Sequence, residues 1–375
     1  MKLSGTVVVF FMKRYFFCIK IIAFLLLSCS ETKQGDLLEI PVDIDQNSLM
    51  PLSEIAEEIT AVELELTDES LISSDYIQNI IVSENEVFIA RMDKIYIFNK
   101  EGKFIRTIGS SGQGPGEYTY IMDLALDEKN RRLFISSAPK IISYDLNGKL
   151  LKEIRILSGS IPDINYINEE LLILVNKFSN DNNGIFLHPT LYRLNDDLRV
   201  VDSCTIMNLH LGDGYRNSIH SHSDFILKGS KSFFVYYGDF TWRLGNNLIE
   251  KNFSDTLYRF ESNHPIPELK LKFKNEGVSK FIDLYNVYRS SRYIFAIYRN
   301  DNNRKSIYFF CYDTKIGKGY NMQGGFTDDI HQIEEPVVIR PFNLDTEMFY
   351  YLHTHMKPDD LEEPNPTLYI GKLKK

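Results

Sequence analysis

Two neighbouring stretches of the chain repeat each other, and this repeat limits the available folds more than any other feature. Residues 76–109 align with residues 120–154, and the apolar triplet Val87-Phe88-Ile89 matches Leu133-Phe134-Ile135. Each copy contains four short strand-like runs, and a glycine in the last turn supplies the positive φ that a tight hairpin needs. Four strands repeating at about 45 residues are the pattern of β-propeller blades.

The same pattern continues, more weakly, to the C-terminus. Each copy has an apolar triplet followed by a second strand, in most copies with tyrosine in its second place. The six triplets begin at Val87, Leu133, Leu172, Phe233, Ile294 and Met348. The strands that follow them begin at Ile95, Ile141, Leu191, Leu257, Ile307 and Leu368. Six copies predict an all-β fold, a six-bladed β-propeller of four-stranded antiparallel blades.

The ring of blades also has to close, because an open ring leaves sheet edges exposed. Residues 37–44 and 61–68 both alternate apolar and polar side chains before the first repeat. We expect one of them to complete the last blade, so that an N-terminal strand closes the ring. Residues 52–59 between them have helical spacing and predict one short helix.

The N-terminus has the pattern of a targeting signal. A basic run that begins at Met12 precedes an apolar stretch too short to span a bilayer, as in a secretory signal peptide. Leu26–Cys29 resembles a bacterial lipobox, in which the cysteine is lipidated and becomes the new N-terminus. The alternative is an ordinary signal peptide with a chance cysteine. Either Met1 or Met12 is the start of translation.

These features predict three segments: a lipoprotein signal peptide at 1–28, a lipidated tether at 29–36 and the propeller at 37–375. Lipid on Cys29 would attach the protein to the bacterial outer membrane, on its periplasmic or its surface face. Beyond residue 28 the chain has 38 basic and 51 acidic residues, a balance of −13. Such an acidic chain does not neutralise phosphates, so we expect no nucleic acid among its partners.

Four glycines and a proline crowd into residues 109–118, GSSGQGPGEY. A phosphate-binding loop needs lysine where Pro115 stands, and a dinucleotide-binding loop needs glycine where Glu117 stands. Both motifs open a helix, whereas the following residues read as a strand. This stretch therefore predicts a turn between the outer strand of one blade and the inner strand of the next.

Two histidine pairs are the best candidates for chemistry. His220 and His222, and likewise His353 and His355, are two residues apart, so in a strand each pair shares one face. Such a pair offers two imidazoles to a divalent metal, but the sequence identifies no third ligand. The alternative is that they are polar pairs on surface strands or loops, and we predict no cofactor.

A second candidate is a ligand-binding surface in the poorly repeating middle of the chain. Tryptophan and tyrosine suit sugar faces or apolar ligands, and arginine suits carboxylates. The residues concerned are Arg216, His220, His222, Tyr237, Trp242 and Arg243. The alternative is that these aromatic side chains belong to the core and that the others lie on a solvated loop.

The stretch 95–136 resembles an NHL-type repeat. With the lipobox, the GPGEY turn and the C-terminal Asn365–Lys374, the chain more narrowly resembles six-bladed β-propeller lipoproteins of Gram-negative gut bacteria. The resemblance is close over 76–157 and at the C-terminus and thin over 160–345. It implies a fold and a location, and no reaction.

Two functions follow most directly from these observations, and a third is that of a subunit in a larger envelope complex, whose surface would show an apolar patch away from the channel mouth. The first is a membrane-anchored envelope lipoprotein that binds a ligand or acts as a scaffold, with a glycan, a peptide or an envelope protein as its partner. The second is a propeller enzyme, a metal-assisted lyase or hydrolase on polysaccharide or peptide. No GxSxG, HExxH or CxxC motif favours the enzyme, and the sequence leaves the choice open.

Overall fold

A computed structural model describes residues 37–73, 77–156, 159–181, 184–210, 225–229, 232–238, 240–244, 247–252, 255–261, 264–274, 282–300, 307–355 and 364–375. A boundary after Leu38 divides the chain into two units, and the propeller is the second, Glu39–Lys375. Its first elements are β1 (Leu38–Val42), helix α1 (Leu52–Ile55) and β2 (Ala56–Glu63). No helix among the described residues is long and apolar enough to cross a membrane.

The first three blades follow one another along the chain. Blade 1 contains β3 (Ile77–Val82), β4 (Glu86–Arg91), β5 (Ile95–Asn99) and β6 (Phe104–Thr107). The short parallel pair β7 (Ser110–Ser111) and β8 (Glu117–Tyr118) comes next. Blade 2 contains β9 (Asp123–Asp127), β10 (Arg132–Ser137), β11 (Lys140–Asp145) and β12 (Leu150–Arg155). Blade 3 contains β13 (Ser160–Ile167), β14 (Glu170–Asp181), β15 (Gly184–Leu194) and β16 (Val200–Thr205), with β17 (Leu209–His210) beside β15.

The other three blades carry two extra hairpins. Blade 4 begins with β18 (Ile226–Lys228) and β19 (Phe233–Val235), continues through the hairpin β20 (Phe240–Leu244) and β21 (Asn247–Asn252), and ends with β22 (Thr256–Glu261) and β23 (His264–Phe273). Blade 5 contains β24 (Ile282–Arg289), β25 (Tyr293–Asn300), β26 (Ile307–Asp313) and β27 (Lys318–Gln323). The hairpin β28 (Phe326–Asp328) and β29 (Ile333–Val337) precedes blade 6, which contains β30 (Arg340–Asn343), β31 (Met348–His353) and β32 (Thr367–Leu373).

The structure confirms the six-bladed propeller. Within each blade, consecutive strands pair side by side as an antiparallel sheet. All six predicted triplets lie on the second strand of a blade, and the six strands predicted after them are the third strands. The weak copies in the middle of the sequence therefore carry the same architecture as the strong ones.

The ring closes through the N-terminal strand β2, as predicted. It pairs with β32 from Ala56 opposite Leu373 to Glu63 opposite Thr367 and completes blade 6. This strand begins earlier than the predicted 61–68, and the helix predicted over 52–59 is wrong beyond Leu52–Ile55. The reason is tertiary, because Ala56 and the residues after it form the sheet edge that β32 needs. Strand β1 lies beside β23 and adds a fifth strand to blade 4.

The apolar core lies between neighbouring blades. Phe88 and Ile97 of blade 1 pack with Leu124 and Ile135 of blade 2, and similar clusters join the other blades. Where the ring closes, Leu368 of blade 6 packs in the same cluster as residues of blade 1. Each blade thus buries both of its faces, which explains why its middle strands are apolar on both sides.

The two ends of the propeller differ. At one end, the turn end, short turns join the first strand of each blade to the second and, in blades 1 to 5, the third strand to the fourth. At the other, the insertion end, the second strand connects to the third and each blade connects to the next. The pairs β7–β8, β20–β21 and β28–β29 all belong to connections at the insertion end. Additions of this kind on a rigid scaffold are where binding residues concentrate.

Candidate functional site

A cavity of about 450 Å³ runs along the central channel. It is lined by the first, innermost strands of blades 1, 2, 3, 4 and 6, namely β3, β9, β13, β18 and β30. These strands are the inner edges of their sheets, so backbone N–H and C=O groups face the channel along with side chains. A space of this size and polarity suits a small polar ligand or one end of a polymer.

Polar side chains on the innermost strands join one blade to the next. The Asn79 amide donates to Asp123 Oδ1, and the backbone N–H of Ile164 donates to Asp123 Oδ2 at 2.7 Å. In the same way, the N–H groups of Phe225 and Ile226 donate to Asp163 Oδ2 at 2.6 and 3.1 Å. These carboxylates are buried and bonded to the neighbouring blade. They hold the channel wall in place.

Charged side chains surround the channel at its turn end. The Glu128 carboxylate accepts a hydrogen bond from the N–H of Glu84 at 2.7 Å, and Lys129 forms an ion pair with Glu169. Lys228 lies on the same rim, and its side chain is exposed. Because charges of both signs occur on this rim, it has no single dominant charge that would select a strongly charged ligand.

A cluster of aromatic and titratable side chains lies where the β28–β29 hairpin meets blade 6. The buried Asp328 carboxylate accepts hydrogen bonds from the Tyr351 hydroxyl at 2.6 Å and from the N–H of His331 at 2.9 Å. Its Oδ2 also lies 3.2 Å from Nδ1 of His331. The ring of Tyr369 stacks on Tyr351 and packs against His331. Burial and the bond to Asp328 raise the pKa of Tyr351.

One of the two predicted histidine pairs, His353 and His355, lies beside this cluster. His353 ends β31 and His355 follows it, with ring centroids 4.5 Å apart in an edge-to-face arrangement. His355 Nε2 bonds the Tyr369 hydroxyl at 2.7 Å. Burial, and then the nearby His355, lower the pKa of His353. In the described part of the chain, no three His, Cys, Asp or Glu side chains are placed to bind a metal.

The other predicted site residues do not meet at one described site. Tyr237 is buried, and its hydroxyl donates to Asn176 Oδ1 at 2.8 Å, so it joins the core of blades 3 and 4. Trp242 and Arg243 lie on β20, at the insertion end, and their side chains are outside the described part of the chain. Arg216, His220, His222 and the predicted lipidation site Cys29 fall outside the described residues altogether.

The glycine-rich stretch is a turn, as predicted. Gly109 and Gly116 have φ of +69° and +73°, and the chain passes directly from β7 to β8 without a helix. The Glu117 carboxylate accepts the N–H of Gly114 at 2.7 Å, and Lys140 donates to the carbonyl of Gly114 at 2.8 Å. The bond between Glu117 and Gly114 therefore closes the turn on itself, Lys140 of β11 ties the turn to blade 2, and the stretch forms no phosphate cradle.

The chain belongs to the family described as "Domain of unknown function (DUF4934)", whose model matches residues 37–374. A crystal structure of a "Putative exported protein" from Bacteroides fragilis is similar with a TM-score of 0.63 and 17% identity, over 90% of this chain and 100% of that one. A protein of unknown function from Bacteroides caccae matches at a TM-score of 0.39 and 12% identity, over 75% and 86% of the two chains. A comparison with curated proteins found no match.

Sequence reasoning missed the polar side chains of the channel. The repeat did contain a signal for them, because the alignment that pairs residue 76 with residue 120 also places Asn79 at the position of Asp123. A polar residue at the same place in two inner strands is unusual where both faces of a strand are buried. The partners, however, are backbone groups of the following blade, and no local pattern identifies them.

Proposed function

We propose that this protein is an exported envelope lipoprotein whose propeller binds a polar ligand, a glycan or a peptide, in its central channel. The observation that carries the proposal is the cavity of about 450 Å³ lined by edge strands of five blades. Its wall is fixed by the bonds of Asp123 and Asp163 to neighbouring blades. A preformed site loses little conformational entropy when a ligand binds.

The location rests on the N-terminal sequence and on one relative. The lipobox-like Leu26–Cys29 supports lipid attachment at Cys29, and the similar protein from Bacteroides fragilis carries the name of an exported protein. Replacing Cys29 by serine should move the protein from the membrane fraction to the soluble envelope fraction and abolish incorporation of labelled palmitate. Retention of the label by the Cys29→Ser variant would contradict lipidation at this residue.

The binding proposal is tested by thermal denaturation of the full chain with panels of oligosaccharides and peptides. A ligand at about 100 times its Kd adds roughly 2.7 kcal/mol to the free energy of unfolding and visibly raises Tm. The variant Lys228→Trp narrows the rim of the channel and should lose this rise. The matched control is Lys103→Trp on the outer side of blade 1, where the lysine is exposed.

The Lys103→Trp control should respond to ligand as the natural protein does. If a ligand raises Tm equally in the Lys228→Trp variant, binding does not use this rim of the channel. If no oligosaccharide or peptide changes Tm, the proposal that the channel binds these ligands is wrong.

A further inference from the structure

Blade 3 carries a hairpin that extends beyond its own sheet. Strand β13 accompanies β14 only as far as Asn176, and β16 accompanies β15 only from Thr190 onward. Residues 177–181 and 184–188 pair with each other past those limits, and β17 pairs with β15 there. The result is a small three-stranded extension at the insertion end of the propeller.

Three polar side chains on this extension form a continuous chain of hydrogen bonds. Ser179 Oγ lies 2.7 Å from Nε2 of His188, and Nδ1 of His188 lies 2.6 Å from Oδ1 of Asn208. An amide oxygen only accepts, so the proton of the neutral imidazole is on Nδ1. Nε2 is then left to accept the hydroxyl proton of Ser179. This is the arrangement of a nucleophile, a general base and a group that orients the base.

The surroundings of the three side chains indicate what they would act on. Phe186 stacks on the ring of His188, and its centroid is 4.9 Å from that of His210. Ser179 and Asn208 are exposed, and no wall encloses them among the described residues. An open site beside aromatic rings admits a group that projects from a long polymer, whereas a small free substrate would not be held there.

We propose that Ser179, His188 and Asn208 form an acyl-transfer site that cleaves esters carried on a polymer such as an acylated glycan. Ser179 is the nucleophile, His188 the general base and Asn208 a positioning residue. The assignment is independent of ligand binding in the channel, since the three residues lie outside the channel lining.

The reaction has two balanced steps. Ser179 Oγ bonds to the ester carbonyl carbon while its proton passes to His188 Nε2, and the carbon–oxygen bond to the alcohol then breaks as His188 returns that proton to the leaving oxygen. Water, activated by the same nitrogen, next attacks the acyl-serine. The acid is released, and Ser179 and neutral His188 are restored.

Covalent capture by a fluorophosphonate probe is the first test, because it needs only an activated serine and no knowledge of the polymer. The full chain should be labelled, and peptide mass spectrometry should place the adduct on Ser179. Ser179→Ala should abolish the adduct, whereas Ser203→Ala, an exposed serine on β16 of the same blade, should leave labelling unchanged. Absence of labelling, or an adduct elsewhere that survives Ser179→Ala, overturns the proposal.

Variants of His188 and Asn208 distinguish a role in the reaction from a purely structural role. His188→Gln should slow labelling by on the order of 10²-fold, the usual contribution of a general base. Asn208→Ala should also slow it, and Asn208→Asp should restore it while moving the midpoint of the pH–rate profile upward, because a carboxylate stabilises the imidazolium.

If Asn208 had only a structural role, Asn208→Asp would leave the midpoint of the pH–rate profile unchanged. Hydrolysis of p-nitrophenyl acetate should follow the same order among the variants, with circular dichroism confirming that each is folded. If His188→Gln is labelled as fast as the natural protein, His188 is not the base and the proposal is wrong. Ligand-induced changes in Tm should be unaffected by Ser179→Ala, so this test and that of the channel can fail separately.

Discussion

Asp163 lies on the inner strand of blade 3, but its carboxylate bonds the backbone of blade 4. It accepts the N–H groups of Phe225 and Ile226, and its side chain is buried. Asp163→Ala leaves both donors without this acceptor, so we expect the free energy of unfolding to fall by about 3 kcal/mol. Urea denaturation measures the change.

Asp163→Asn is the matched control for that variant. Its amide oxygen still accepts a hydrogen bond and its volume is similar, so the loss should be about 1 kcal/mol. Equal losses in the two variants would show that the negative charge, and not the acceptor at this blade boundary, stabilises the fold.

Gly102 and Gly148 occupy the same turn in blades 1 and 2, and both have positive φ, +82° and +88°. A Cβ on Gly102 would lie 2.0 Å from the carbonyl oxygen of Glu63 on the closing strand, whereas a Cβ on Gly148 meets nothing within 4 Å. Both alanine variants carry the cost of left-handed backbone, about 1 kcal/mol. Gly102→Ala should lose roughly 2 kcal/mol more, because it also displaces β2.

The comparison is made by thermal or urea denaturation of the two variants side by side. Equal destabilisation would mean that the closing strand yields without cost and that its close approach to blade 1 does not matter for stability. The pair thus measures how firmly β2 is held against the turn of blade 1.

His353 gives the protein a pH dependence of known sign. Its pKa is lowered in the folded state by burial and by His355. In the unfolded chain the imidazole takes up its proton near pH 6.5, before the folded state does. Stability contributed by the neutral His353 is therefore present above that pH and is lost as the pH falls through it.

The wild-type Tm should accordingly drop between pH 7.5 and pH 5.5, and His353→Asn should reduce this drop. Differential scanning calorimetry at the two pH values measures both. A drop of the same size in the variant would show that other groups set the pH dependence.

At the level of elements, the two N-terminal strands, β1 and β2, have different structural roles. Strand β2 supplies the fourth strand of blade 6, whereas β1 adds a fifth strand to a blade that already has four. A chain that begins at residue 45 should therefore still unfold cooperatively, at a lower Tm. A chain that begins at residue 65 leaves β32 as an open edge and should lose the cooperative transition.

Calorimetry of the two truncated chains measures whether each one unfolds cooperatively. If the chain from residue 65 melts as cooperatively as the chain from residue 45, closure by β2 is not what holds the ring together. Both truncated chains lack β1. A difference between them is therefore due to the segment that contains α1 and β2.

The strands were predictable from the sequence where a pattern repeats within it. The triplets at Val87 and Leu133 recur in four weaker copies at less regular spacing, and all six form second strands of blades. Strand β1 and the residues from Ala56 to Ile59 are different, because their structure depends on which distant strand they join. An alternating pattern states that a strand has a buried face, but it does not name the neighbouring strand.

The same limit applied to the candidate site. The histidine pair at 353 and 355 was visible in the sequence, but Asp328, His331 and Tyr351 come together only because a hairpin folds back on blade 6. Likewise, Ser179, His188 and Asn208 are brought together by the pairing of three strands. Such groups have no fixed spacing, so a search for motifs does not find them.

At the scale of the whole molecule, the propeller has a central channel and two ends that differ in structure. The channel has a rigid polar wall, the turn end has short turns and a mixed-charge rim, and the insertion end carries the added hairpins. Binding in the channel is the central claim, since it assigns a role to the side chains that join the blades. It also predicts which strands should exchange their amide protons more slowly when a ligand binds.

Hydrogen–deuterium exchange of the full chain, with and without a mixture of oligosaccharides and short peptides at millimolar concentration, tests this claim most directly. We predict slower amide exchange along the channel-lining strands β3, β9 and β13, and no change along the outer strands β6, β12 and β16. Unchanged exchange in the inner strands, or slowing confined to the outer strands or to the hairpins of the insertion end, would contradict binding in the channel.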